Sequence, residues 1–350
     1  MRVALDATPL AGPVGGIRRY TFELSRALAE EYSEDEFALV SDQPFILPAS
    51  APNLKAGRGP RNALESKWWT IGLARELSKL GTDVFHGTDF AVPYIPLRPS
   101  VMTVHDLSPW IGPGKDDASM RVRSRTPILA RLGLATMIIT PTASVRRQVL
   151  DCFRVSPHRV AVTPLAASSR FRPNSACRGR FFLLPGTREA RKNTAVLLQA
   201  WRELRKSVEV DLVLAGRSRE TEPDHEIPGL RILGEVSEEK LVSLYSEALA
   251  VIYPSVYEGF GLPVLEAMQC GAAVITSKDP AIGEVAGDAA VRIDAGDVRG
   301  WVEAMRKAAT DADWASGLRE RALLRACDFS WERTARATRE IYHEARCYFA

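Results

Sequence analysis

The 350-residue sequence is poor in cysteine: Cys152, Cys177, Cys270, Cys327 and Cys347 are all it has, scattered and without a C-x-x-C pair. An odd, dispersed set excludes a disulfide framework or a structural zinc site and points to a reducing compartment. Long apolar runs are also missing. No window approaches the ~18 consecutive apolar residues of a membrane span, and Asp6 interrupts the opening MRVALDATPL before a secretory signal core can form. The expected location is cytoplasmic. Neither sign of charge dominates, the formal net charge being +3, and no nucleic-acid reader motif occurs, so nucleic acid is not an expected partner. The first loop, TPLAGPVGG, lacks the G-x-G-x-x-G of a dinucleotide oxidoreductase. No G-x-S-x-G marks a serine hydrolase.

What is present reads as an ordinary globular chain, 46% hydrophobic and 25% charged. At roughly 150 residues per domain, its length suggests two domains. Charge is unevenly spread: residues 1–170 carry 21 Lys and Arg against 16 Asp and Glu, and residues 171–350 carry 25 against 27. Most of the basic excess lies between Lys55 and Arg147, a patch suited to an anionic substrate or a lipid surface. Trp68 and Trp69, followed by IGLARELSKL, and Arg121, Arg123, Arg125 and Arg131 leave peripheral membrane contact through this half open. Packed tryptophans with a solvated basic face are the favoured reading.

Short apolar runs alternate with helical patterns. Strands are expected at Arg2–Asp6, Phe37–Val40, Asp83–His86, Val101–Val104, Met137–Thr140 and Val160–Thr163, with helices at Ile17–Glu30, Ala63–Leu80 and Ser144–Cys152. A polar, aperiodic stretch from Leu165 to Arg180 reads as a linker. The rhythm then restarts with strands Phe181–Pro185, Val210–Ala215, Leu230–Leu233, Ala250–Tyr253 and Ala273–Thr276. Helices Thr194–Leu204, Ser237–Ala248 and Pro263–Cys270 lie between them. This is an α/β pattern of two Rossmann-like βα domains, in which ligands gather beyond the carboxyl ends of the strands.

The most informative stretch is YPSVYEGFGLPVLEAM. Glu258-Gly-Phe-Gly261 forms a flexible loop before a helix opened by Pro263, so unpaired N–H groups and a positive dipole face an anion, most plausibly phosphate. Glu258 and Glu266 bracket that point. Carboxylates repel an anion and suit sugar hydroxyls on either side of it. A nucleoside diphosphate joined to a hexose has this layout. In Gly186-Thr-Arg-Glu-Ala-Arg191-Lys192-Asn193, the adjacent Arg191 and Lys192 sit at a strand-to-helix passage and would neutralise a diphosphate. His105-Asp106 and His86-Gly-Thr-Asp89 hint at a metal. However, neighbours on a strand point to opposite faces, and the chain has no Asp-x-Asp of the type that holds a metal on a nucleotide-sugar. No metal is expected.

These motifs, with GGIRRYTFELSRAL (15–28), TVHDLSPW (103–110) and LGEVSEEKL (233–241), resemble the retaining nucleotide-sugar glycosyltransferases of family four (group 1 type, mannosyltransferase-like) with the GT-B fold. The Glu-x7-Glu spacing is the specific part. Ala190 stands where some members have proline. The resemblance implies an N-terminal acceptor-binding domain (1–168), a C-terminal nucleotide-sugar-binding domain (169–332) and a last helix (333–350) crossing back to the first. It places Glu266 on the donor ribose, and Glu258 with the backbone of Gly259, Phe260, Gly261 and Leu262 on hexose and phosphates. Arg191 and Lys192 would grip the diphosphate, Gly15 and Gly16 would approach the phosphates, Gly234, Glu235 and Val236 would meet the base, and His105 would stand beside the transferred sugar. The donor implied is an NDP-sugar, GDP-sugar before UDP-sugar, with no other cofactor; the acceptor is a glycan, a lipid-linked oligosaccharide or a secondary-metabolite sugar. A non-catalytic sugar-nucleotide binder is the alternative, and a dinucleotide oxidoreductase a weaker one.

Overall fold

The computed structural model describes residues 1–12, 15–111, 117–174, 179–187, 189–217 and 227–349. The chain divides into two units, Met1–Leu165 with Ser330–Ala350, and Ala166–Phe329. Both unit boundaries fall three residues before the positions read from the sequence.

The first unit runs β1 (Arg2–Asp6), α1 (Thr8–Ala11), α2 (Gly16–Glu31), β2 (Glu36–Val40), β3 (Leu54–Ala56), α3 (Leu73–Leu80), β4 (Val84–Gly87) and β5 (Ser100–Thr103). It continues with α4 (Ser108–Ile111), α5 (Asp117–Arg131), β6 (Met137–Thr140), α6 (Ala143–Phe153) and β7 (Val160–Val162). Its strands pair in parallel in the order β3-β2-β1-β4-β5-β6-β7. Continuous burial along β4, β5 and β6 is what a parallel sheet covered on both faces requires. The helix expected over Ala63–Leu80 is shorter. Asn62 Oδ1 accepts the N–H groups of Leu64 and Glu65 at 3.1 and 3.0 Å, holding a turn there. A wide helical turn, Trp68–Gly72, then leads into α3. Trp68 is buried, and Trp69 packs edge-on to Phe85 with ring centroids 6.5 Å apart, so this pair belongs to the core. The Gly112–Gly114 loop lies outside the described residues.

The second unit runs β8 (Phe181–Pro185), α7 (Thr194–Arg205), β9 (Asp211–Ala215), β10 (Leu230–Gly234), α8 (Glu238–Glu247), β11 (Ala250–Tyr253) and α9 (Leu262–Gln269). It ends with β12 (Val274–Ser277), α10 (Pro280–Ala286), β13 (Val291–Ile293), α11 (Val298–Thr310) and α12 (Ala312–Ala326). Its parallel order is β10-β9-β8-β11-β12-β13. Trp201 of α7 and Trp301 of α11 are fully buried in its core, and the Trp201 indole N–H is satisfied by the Val210 carbonyl at 3.1 Å. Polar caps mark the helix starts: Ser237 accepts from Lys240 N, and Asp279 from Ile282 N. The literal Asp-x-Asp of the chain, Asp311 to Asp313, is one of these, with Asp311 capping α12.

The last helix, α13 (Trp331–Phe349), returns to the first unit. Arg339 Nε donates to Asp35 at 2.6 Å, Thr334 Oγ1 donates to the Pro164 carbonyl at 2.8 Å, and Tyr342 Oη meets His86 Nδ1 at 2.7 Å.

Candidate functional site

In the second unit, the turns after β8 and β9 meet so closely that a Cβ on Gly216 would lie 2.1 Å from the Gly186 carbonyl oxygen. The Gly186–Asn193 loop then reaches α7 through Asn193, which adopts a left-handed conformation at φ +57°. Asparagine tolerates that conformation better than most residues. Its side-chain amide donates to the carbonyls of Ala295 (2.7 Å) and Pro254 (3.3 Å), pinning the loop to the strand ends of β11 and β13. Arg191 and Lys192 are thereby fixed side by side.

Neither is a solvated surface charge. Lys192 is buried and donates through Nζ to Glu258 Oε1 at 2.6 Å and to the Tyr253 hydroxyl. Arg191, about a third exposed, pairs through Nη1 with Glu258 Oε2 at 3.0 Å and through Nε with Glu189 at 3.1 Å. Burial pushes the Lys192 ammonium below its usual range, more than Glu258 raises it. Burial also pushes the Glu258 carboxyl up, but Lys192 and Arg191 outweigh that and hold it low. Ser255 Oγ donates to Glu258 Oε1 at 2.5 Å.

This revises the expectation drawn from like-charge repulsion alone. Glu258 does not stand as an open acceptor for sugar hydroxyls; its carboxylate is engaged by two cations and a hydroxyl. The two cations face two carboxylates, Glu189 and Glu258, so the cluster is close to neutral. Tyr253, Ser255 and Glu189 were not singled out from the sequence. Their signal was present, since polar residues at the carboxyl end of an apolar strand mark a site in parallel sheets.

The loop Gly259–Gly261 is buried, and Phe260 packs edge-on to Phe329. Gly261 sits at φ +96°, which a side chain would oppose, and opens α9 with no side-chain cap. Leu262 is the first residue of that helix. Glu266, one turn in, is buried and accepts from the Tyr245 hydroxyl at 3.1 Å. Gly234 ends β10 at φ +64°, and Glu235 beside it forms an exposed pair with Arg217 at 2.8 Å, ahead of Val236.

His105, Gly15 and Gly16 belong to the first unit. Gly15 is the extended residue preceding α2, and Gly16 is its first residue. His105 lies two residues past β5, so the argument from alternating strand faces does not apply to it and Asp106. Its Nε2 donates to the Thr88 carbonyl at 2.8 Å, which leaves Nδ1 as the acceptor in the neutral ring. Burial lowers its pKa, against the opposing pull of Thr88 and Asp106. Tyr20 packs edge-on at 4.8 Å. Among the described residues no three His, Cys, Asp or Glu side chains form a metal-holding group.

Comparison with known proteins decides the family. The profile "Glycosyl transferases group 1" matches residues 167–325, and "Glycosyltransferase Family 4" matches residues 14–171. The O-antigen chain mannosyltransferase B of Escherichia coli is 30% identical over 381 residues, which span 98% of this chain and 99% of that protein. The chain belongs to the group 1 glycosyltransferases. Among solved structures, sucrose-phosphate synthase of Thermosynechococcus elongatus matches with a TM-score of 0.76 at 18% identity, covering 98% of each chain. WaaG, a glycosyltransferase involved in lipopolysaccharide biosynthesis, matches with a TM-score of 0.70 at 16% identity over 97% of this chain and 99% of that one. The fold of this glycosyltransferase is therefore GT-B, with two parallel-sheet Rossmann-like units. The oxidoreductase alternative falls. Among the described residues no helix is long and apolar enough to cross a membrane.

Proposed function

We propose that this glycosyltransferase moves a hexose, mannose before others, from a nucleoside-diphosphate sugar to a hydroxyl of a glycan or lipid-linked acceptor with retention of anomeric configuration. GDP is the favoured base carrier over UDP. The observation that carries this reading is the buried Lys192–Glu258 pair, with the half-buried Arg191 on the same carboxylate, beside the uncapped start of α9. Cleavage of the sugar–phosphate bond builds negative charge on the departing diphosphate and oxocarbenium character on the sugar. An ammonium and a guanidinium held rigidly by Glu258, together with helix N–H groups, stabilise the leaving charge without reorganising. Glu258 is then the strut for both cations, while Tyr245 orients Glu266 for the ribose hydroxyls.

No side chain of the second-unit set is arranged as a covalent nucleophile. The reading is therefore a same-face displacement, in which a leaving phosphate oxygen takes the acceptor's proton. No metal is invoked in this reading: once the diphosphate displaces Glu189 from Arg191, Lys192 and Arg191 together exceed the charge of Glu258 by one. The mannosyl preference draws on the relative's name, and O-antigen-like glycan assembly is proposed on the same ground. His105, with its Nδ1 lone pair, is assigned to the transferred sugar.

Lys192→Ala is expected to lower kcat by about 100-fold or more, the usual loss for one charge-stabilising group. Release of nucleoside diphosphate from GDP-mannose in the presence of a mannoside acceptor is the measurement. Wild-type turnover in a folded variant would sink the assignment, and donor binding without any release would favour the non-catalytic binder.

For the first unit, peripheral membrane contact at the inner face of a membrane is the finer proposal. Tyr94, Ile95 and Leu97 are exposed, and Arg125 donates to the Tyr94 hydroxyl at 3.3 Å. Flotation with vesicles rich in anionic lipid should carry wild-type protein up the gradient. A Leu97→Glu variant should stay at the bottom, and equal flotation of the two would refute the contact.

A further inference from the structure

The turns that follow β11 and β12 lie side by side, because Tyr253 and Thr276 are register partners near the ends of these neighbouring parallel strands. The first turn carries Ser255 and Glu258, the second Ser277 and Asp279. Two hydrogen bonds join them. Ser277 Oγ donates to the Ser255 carbonyl at 2.5 Å, and the Glu258 backbone N–H donates to Asp279 Oδ2 at 3.3 Å.

On its other side the first turn rests on the basic loop. The Val256 N–H donates to the Arg191 carbonyl at 2.8 Å, and Arg191 Nη1 donates to the Tyr257 carbonyl at 3.1 Å. Residues 255–258 are therefore held between two corners of the sheet, and Asp279 grips the main chain of Glu258 itself.

Asp279 is buried, and its other oxygen, Oδ1, accepts the Ile282 N–H at 2.9 Å as the cap of α10. A cap alone does not call for aspartate here. Serine, threonine and asparagine cap as well or nearly so, and none of them sets a second carboxylate close to that of Glu258. Asp297 and Asp311, which cap α11 and α12 by accepting an N–H of their own helix, are not buried. Burial pushes the Asp279 carboxyl up, the N–H groups of Ile282 and Glu258 draw it down, and the Glu258 charge adds to the rise. Two backbone donors from two segments need two acceptor oxygens, which a carboxylate has. Serine offers one oxygen, and asparagine offers one oxygen with an NH2 that would meet the Glu258 N–H head-on.

The place of Glu258 matters because it is the shared anchor of the basic pair. Its Oε1 takes the Lys192 ammonium at 2.6 Å and its Oε2 the Arg191 guanidinium at 3.0 Å. A displaced main chain at 258 re-aims both cations, and a shift of about 1 Å in a catalytic group can cost about 100-fold in rate.

We propose that Asp279 is a positioning residue for the transfer reaction: by accepting the Glu258 backbone N–H it sets the carboxylate that aims Lys192 and Arg191 at the departing diphosphate. Its role rests on the reading of those two cations as stabilisers of the leaving charge, and it is exerted through Glu258.

The test is steady-state release of nucleoside diphosphate from GDP-mannose by the full-length protein, with a mannoside acceptor, in Asp279→Asn and Asp279→Ser. Both substitutions keep a cap for α10 and remove the acceptor for the Glu258 N–H; circular dichroism checks the fold, and either folded variant suffices. Each should lower kcat by about tenfold or more, the weight of a hydrogen bond to a charged group. The acceptor KM should stay unchanged, as for an interaction that counts only in the transition state. In a Glu258→Gln background the carboxylate that aims the cations is already gone, so Asp279→Asn should change kcat little further. A residue that merely braces the fold would cost the same factor in both backgrounds. Wild-type kcat in either folded variant, a loss confined to KM, or an equal loss in the Glu258→Gln background overturns the proposal. Lys192→Ala, run alongside, separates the two levels. If it keeps wild-type turnover, the diphosphate reading itself has failed; if it loses turnover while Asp279→Asn does not, the role of Asp279 alone is removed.

Discussion

Arg191 holds two carboxylates, and only one of them is structural. Glu258 is buried and shared with Lys192, so releasing it would strand two cations in a desolvated place. Glu189 is partly exposed and pairs with Arg191 Nε at 3.1 Å. On the proposed reading, an incoming diphosphate would compete with Glu189 and not with Glu258. Removing the competitor's charge should tighten the nucleotide. Glu189→Gln is expected to lower the GDP Kd by up to about fivefold, since a partly exposed ion pair is worth at most about 1 kcal/mol. Calorimetry that finds an unchanged or weaker Kd would mean that the diphosphate does not take the place of the Glu189 carboxylate on Arg191.

The elements show which levels of structure the sequence displays. The long βα rhythm was legible because β1, β4, β5, β6, β8 and β11 are buried on both faces and read as apolar runs. Strands β3 and β13 were not, because each is short, carries a central charged residue and is mostly exposed or half-buried, so neither makes an apolar run. The Glu-x7-Glu spacing and the basic pair located the second-unit cluster. The partners of these residues were hidden: which cation faces Glu258 depends on the meeting of the β8 and β11 loops, 66 positions apart. His86 was likewise read only as a metal hint. It is in fact a junction, bonding Thr103 of β5 through Nε2 and Tyr342 of α13 through Nδ1, each at 2.7 Å. Burial, with a small push from His105, lowers its pKa to about 3. Above the unfolded value near 6.5 both states leave it neutral; as pH falls toward 3 only the unfolded chain gains the proton, so stability is lost across that window. The full loss amounts to roughly 4–5 kcal/mol at 1.36 kcal/mol per unit. His86→Gln removes this proton linkage, so the gap in denaturation free energy between variant and wild type should narrow or reverse between pH 6.5 and 4. A gap that stays constant across that range would mean His86 is not held neutral by the fold.

At the scale of the whole molecule, the chain's route decides which piece can stand alone. The second unit is one continuous stretch, Ala166–Phe329, with its own sheet and a core built on Trp201 and Trp301. The first is completed only by the last residues, because α13 supplies Tyr342 to His86, Arg339 to Asp35 and the Trp331 ring against Tyr20. Cutting after Leu165 leaves His86 Nδ1 buried without its hydroxyl and Asp35 without its guanidinium. It also uncovers the face of α2 on which α13 lies, the kind of exposed apolar surface that drives aggregation. A fragment of residues 166–329 should therefore express as a soluble, cooperatively unfolding protein, whereas residues 1–165 should aggregate or stay molten. Joining 330–350 to residue 165 through a flexible linker should restore a cooperative transition to the first unit. Circular dichroism melts of the three species give the comparison. A well-folded 1–165 fragment would show that α13 merely rests on the first unit and does not complete it.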